Sequence, residues 1–170
     1  MSTTVTKMTG RTIAANFTRP ADTTAYAAGD VIADSTSAPT VITFSRATSD
    51  SVSTIQQAII VTSASVATKP DLELWLFDTT VTPDNDNAVF TPTDAELRTL
   101  IGVIAFPVAS FKVGDATAGA GGNSICDVQT LNIQINSTPQ VNAIYGVLVV
   151  RNAYVPVSAE RFDIRLKIKD

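Results

Sequence analysis

The closing stretch RFDIRLKIKD restricts the fold more than any other part of the chain. Phe162, Ile164, Leu166 and Ile168 occupy every second position, with Arg161, Asp163, Arg165, Lys167 and Lys169 between them. Successive side chains of a strand point to opposite faces, so a period of two marks a strand with one apolar side. Burying those four side chains is worth about 6–12 kcal/mol in gross transfer terms. A slip of one residue would turn all four to water, so the pairing of this strand is tightly specified.

The same reading runs through the rest of the chain. Thr12 to Phe17 reads as a first strand after a polar, Thr-rich start. Residues 1–16 are therefore expected to be an arm or first strand that a partner could order, and residues 17–170 a single β-sandwich domain. Asp22-Thr23-Thr24 and Gly29-Asp30 read as turns around a short strand at Val31, Ile32 and Ala33. In TVITFSRA, Ile42, Phe44 and Arg46 share one face, and Val41, Thr43 and Ser45 the other. The run from Ala58 to Val61 is short and largely β-branched, which suits a buried strand.

In LELWLF, Leu72, Leu74 and Leu76 alternate with Glu73, Trp75 and Phe77. Both faces become apolar toward its end, as in a central strand whose outer side is also covered. Thr93-Asp94-Ala95-Glu96 matches a capping box, so one short helix is expected, with Leu97, Leu100 and Ile101 as its stripe and Gly102 as its stop. VGDATAGAGGNS reads as a flexible loop. Leu131, Ile133 and Ile135 alternate again, and AIYGVLVV is a mostly apolar strand. Eight or nine strands with one short helix predict an all-β chain, an antiparallel β-sandwich or jelly roll.

Charge and reactive groups narrow the function. The 170 residues include 12 basic and 16 acidic ones, for a net charge of −4. Nucleic-acid affinity comes from Lys and Arg that displace counterions, and here they form no run, so no nucleic-acid partner is expected. The same balance disfavours an anionic membrane surface. No apolar run approaches the roughly 20 residues of a membrane span, and the start lacks a signal-peptide core. A soluble protein made in a cytoplasm is expected. The single cysteine, Cys126, reads as a small core hydrophobe.

The chain has no histidine, which removes the commonest general base and the usual Ser-His-Asp and Cys-His systems. No enzyme activity and no cofactor are expected. AGAGGNS lacks the glycine spacing of a dinucleotide fingerprint. Asp78, Asp84 and Asp86 raise a calcium reading beside a turn reading, but the spacing lacks the Gly and closing Glu of the helix-loop-helix site. A pair of carboxylates for glycoside hydrolysis would have to converge from distant strands. Trp75, Tyr26, Tyr145 and Tyr154 could line a sugar-binding face, although Trp75 reads first as core.

The blocks RPADTTAY at residues 19–26 and LWLFD at residues 74–78, with ITFSRA and DNDNAVFTPTDAELRTLIGVIAF, carry a resemblance. From about Phe17 to the last strand the chain resembles the head decoration, or cement, proteins of tailed bacteriophages. The resemblance implies a β-sandwich on the outside of the capsid, commonly as a homotrimer at local threefold positions, with the major capsid protein as partner. It carries over no catalytic residue and no metal site. The expected function is that of a non-enzymatic virion protein that bridges capsid subunits. The alternative is a carbohydrate- or receptor-binding module of a tail or fibre. For residues 19–26 two roles stand side by side, a contact surface and a corner shaped by packing alone.

Overall fold

The computed structural model describes residues 10–46, 52–65, 70–115, 122–135 and 143–169. The expected arm at residues 1–9 lies outside them. The strands are β1 (Gly10–Thr18), β2 (Val31–Ile32), β3 (Ile42–Ser45), β4 (Ser53–Thr62), β5 (Leu72–Phe77), β6 (Leu100–Phe106), β7 (Phe111–Asp115), β8 (Asn123–Val128), β9 (Ile133–Ile135), β10 (Ala143–Val150) and β11 (Arg161–Lys169). Helix α1 is a single turn, Asp94–Leu97.

Two sheets result. The six-stranded sheet runs β1-β11-β4-β8-β7, with β9 also paired to β4. The five-stranded sheet runs β2-β10-β5-β6, with β3 also paired to β10. Every described pairing is antiparallel. The pairs β1–β11, β2/β3–β10, β4–β8/β9 and β5–β6 nest inside one another along the chain, and successive pairs alternate between the two sheets. That is a jelly roll, a long hairpin rolled into two layers. The expected sandwich is present, with β7 as an added edge strand. The first strand reaches back to Gly10 and pairs with Lys169, so the expected boundary at residue 16 falls inside a strand of the sandwich.

Strand β11 sits between β1 and β4, and Phe162, Ile164, Leu166 and Ile168 are all buried. They meet Ile13, Ile55, Ile60 and Cys126 of their own sheet and the apolar side of the opposite one in a single core. A second, smaller cluster covers the outer side of the five-stranded sheet. Phe77, Val147 and Val149 lie there beneath Val81, with Trp75 and Phe90 packed alongside. This cover is why β5 and β10 are apolar on both faces.

Two irregularities shift the simple pattern. In β4 the buried positions are Ser53 and Ile55, then Ala58, Ile60 and Thr62. The register with β11 steps from Gln57↔Lys167 to Ile55↔Ile168, so Gln56 is the extra residue of a bulge that restores the inward phase. Helix α1 also stops earlier than its apolar stripe suggests. Its capping box forms as expected, with Thr93 and Glu96 each satisfying the other's amide. Leu100, Ile101 and Gly102, however, belong to strand β6, because Leu100 pairs with Phe77 and Gly102 with Leu76. Gly102 is no helix stop: a Cβ there would come within 3.0 Å of the Ile133 side chain. Likewise Val113 and Asn123 are strand residues, and residues 116–121 of the expected flexible loop lie outside the described residues.

The β8–β9 break carries a test. Thr130 has φ 62°, a left-handed conformation that a β-branched side chain adopts at a cost of about 1–2 kcal/mol. Glycine removes that cost and returns about 0.5–1 kcal/mol through the unfolded chain. Thr130→Gly is therefore expected to stabilise the protein by about 0.5–1 kcal/mol, read as a higher urea midpoint at unchanged slope.

Candidate functional site

The densest polar constellation lies where the chain leaves β1. Pro20 fixes the exit, since the residue before a proline is held extended. The Arg19 amide donates to the Glu160 carbonyl at 3.0 Å. Asp22 Oδ1 accepts from the Thr24 amide at 2.9 Å, which closes the expected turn. Tyr26 and Tyr154 then exchange backbone hydrogen bonds in an isolated bridge, and their rings stack at 6.1 Å. Gly29, at φ +100°, turns the chain into β2 as read from the sequence.

Arg19 is the hub, and its side chain is wholly shielded from solvent. Nε donates to Tyr26 Oη at 2.8 Å. Nη1 donates to the Asp22 carbonyl at 2.6 Å, and Nη2 to Asp22 Oδ1 at 3.0 Å and Asp86 Oδ2 at 3.2 Å. Asp86 also accepts at Oδ1 from Tyr26 Oη at 2.6 Å and from the Ala33 amide at 2.9 Å. The planar fork of a guanidinium suits such a divergent set of acceptors. Burial opposes the charge, but the bonds to Tyr26 and Asp22 and the Asp86 carboxylate outweigh it and raise the pKa of Arg19. A backbone hydrogen bond from Thr24, then that from Arg19, lowers the pKa of Asp22.

Beyond the stacked ring, Tyr154 Oη donates to Glu160 Oε2. Burial raises the Glu160 carboxyl above its usual range, against the hydrogen bonds it accepts. It also pushes both tyrosine hydroxyls far above theirs, with the neighbouring carboxylates adding to the shift. Protonated tyrosines and a solvent-free arginine can tie chain segments together; they offer no ionised nucleophile at neutral pH. The constellation joins the end of β1, the corner after it, the excursion bearing Asp86 and the β10–β11 connection.

Glu160 makes stability depend on pH. Its folded pKa lies above the ordinary 4.5, so above pH 4.5 the folded state keeps a proton that the unfolded state releases. Its contribution is complete below pH 4.5 and is lost as pH rises through the folded value. Glu160→Gln is expected to remove this slope. Urea midpoints of both proteins across the acid-to-neutral range should diverge in favour of the variant as pH rises; parallel curves would refute the assignment.

The acidic cluster is not brought together. Asp78 accepts from Thr79, Asp84 from Thr91, and Asp86 belongs to Arg19 and Tyr26. Among the described residues no three acidic, Cys or His side chains converge as metal ligands. The aromatic face is not assembled either. Tyr26 and Tyr154 are buried, and Tyr145 lies in the outer apolar cluster. Trp75 is half-buried on the outer side of β5, edge-on to Phe90 at 5.3 Å, and donates to Glu73. It is packed, though in the outer cluster and not between the sheets. A groove of about 250 Å3 between β1 and β3 contains one carboxylate among its described lining, Asp34, which accepts from the Thr40 amide. Cys126 is buried, and burial with the Asp127 charge pushes its thiol up to about 11.

Sequence reasoning singled out residues 19–26 but missed what they bind. Asp86 read as part of an acidic turn, and Glu160 carried no signal. The Arg-Pro pair between an apolar strand and an Asp turn was the available clue. No protein-family model matches the chain, and no curated protein matches it.

Proposed function

We propose that the protein is a non-enzymatic structural component of a tailed-bacteriophage virion, bound to the outside of the capsid, where it bridges major capsid protein subunits. Copies associate as homotrimers in this reading. Jelly rolls serve many functions, so the fold alone does not choose among them. The supporting observation is the fate of the block that carries the resemblance: Arg19 and Tyr26 turn inward, Asp22 holds the turn at the surface beside them, and together they clamp four chain segments at one corner. Their side chains serve rigidity, which suits a protein that bears load through its surfaces. Many modest contacts on one shell add through effective concentration, and a stable contact buries more than about 1,000 Å². The net charge of −4 favours the outer side of the shell over the packaged genome.

Quantitative mass spectrometry of purified particles tests this. A copy number comparable to that of the capsid subunit is expected. Absence from particles, or a few copies only, would overturn the reading.

A further inference from the structure

We propose that the outer face of the six-stranded sheet is the docking surface of this protein, and that its partner is an acidic protein surface. Naming that partner as the capsid subunit rests on the function proposed above; the face itself does not.

The ladder register sets the face out in rows. One row places Asp163, Val61, Ile125 and Lys112 side by side across β11, β4, β8 and β7. The next places Arg165, Ile59 and Asp127 together. Lys167 lies beside Gln57 in the row beyond, and Gln57 Nε2 donates to Asp127 Oδ1 at 2.6 Å. Ile59, Val61 and Ile125 thus form a half-buried apolar centre, with exposed Arg165, Lys167 and Lys112 around it. An apolar centre inside a charged rim is the anatomy of a protein interface.

The charge of this face opposes that of the molecule. Among the described residues it carries Lys112, Arg161, Arg165, Lys167 and Lys169, with Asp127 and Asp163 in the same rows and Asp115 beside Asn123 at the β7 edge. Asp163 is paired with Arg161 at 2.8 Å. Asp127 is held below the usual carboxylate range by Gln129 and Gln57 and by the charges of Lys167 and Lys112. The connection between β5 and β6, part of which covers the other sheet, carries Asp78, Asp84, Asp94 and Glu96. An acidic surface is therefore attracted to one side of the sandwich and repelled by the other, which sets its orientation. Carboxylates and an apolar centre within the same face fit a protein better than a phosphate backbone.

The test compares two substitutions of equal charge change, Arg165→Glu on the face and Arg98→Glu away from it. Rebinding to virions stripped of the protein is measured at about 50 mM and about 500 mM salt, which straddle strong and weak screening. Arg165→Glu is expected to weaken binding about tenfold or more at low salt, with the gap closing at high salt, while Arg98→Glu stays within about twofold. Equal losses, or none, would overturn the proposal. Should the wild-type protein fail to rejoin particles, the capsid assignment falls, and immobilised poly-L-glutamate and double-stranded DNA decide the face. Retention on poly-L-glutamate that Arg165→Glu abolishes and Arg98→Glu preserves supports it. No wild-type retention, no difference between the variants, or stronger retention on DNA would overturn it.

Discussion

Arg19→Met is expected to destabilise the protein by about 3–5 kcal/mol, the cost of breaking a buried ion pair from one side. Methionine keeps much of the side-chain volume and removes all the donors. The Asp86 carboxylate, almost wholly buried, would then keep only Tyr26 and the Ala33 amide. Tyr26 would lose the cation that donates to its hydroxyl, and Asp22 the two bonds that its carbonyl and carboxylate accept from Arg19. Arg19→Lys should recover little, because one ammonium cannot span Tyr26, Asp22 and Asp86 as the fork does. Urea unfolding measures the loss, with exposed Arg98→Met expected within about 0.5 kcal/mol of wild type. A loss below about 1 kcal/mol for Arg19→Met would mean that the corner does not depend on its arginine.

Phe162→Ala is expected to cost about 3–5 kcal/mol through lost burial and the cavity left behind. Phe162 is fully buried, stacks on Phe17 of β1 at 5.4 Å and pairs with Thr62 of β4. It anchors the same corner from the apolar side, one residue after Arg161 and two after Glu160. An outward residue of the same strand gives the contrast: Arg165→Ala should change stability by no more than about 0.5 kcal/mol. Because Phe162 and Arg19 lie at the same end of β1 and β11, the two losses are expected not to add, and a double variant would measure their coupling.

The inward and outward assignment of β11, β3 and β5 was legible because alternation is a property of neighbouring residues. So was the capping box, which four consecutive residues complete. Gln56 was not legible as a bulge, since an extra residue shows only against its partner strand. Leu100 to Gly102 misled for the same reason: their spacing fits a helical stripe, and pairing with β5 overrides it.

The corner cluster shows the limit most clearly. Arg19 meets Asp86 across 67 positions and the Val157 carbonyl across 138. Nothing local to any of them encodes the meeting. Local chemistry alone therefore determined the fold class, the buried face of β3, β5 and β11, and a poverty of reactive groups. The tertiary structure decided which charged and hydroxyl side chains go inside and what each holds there. The physical reason is that a strand's period is written in adjacent residues, whereas the environment of a buried charge is built by segments that only folding brings together.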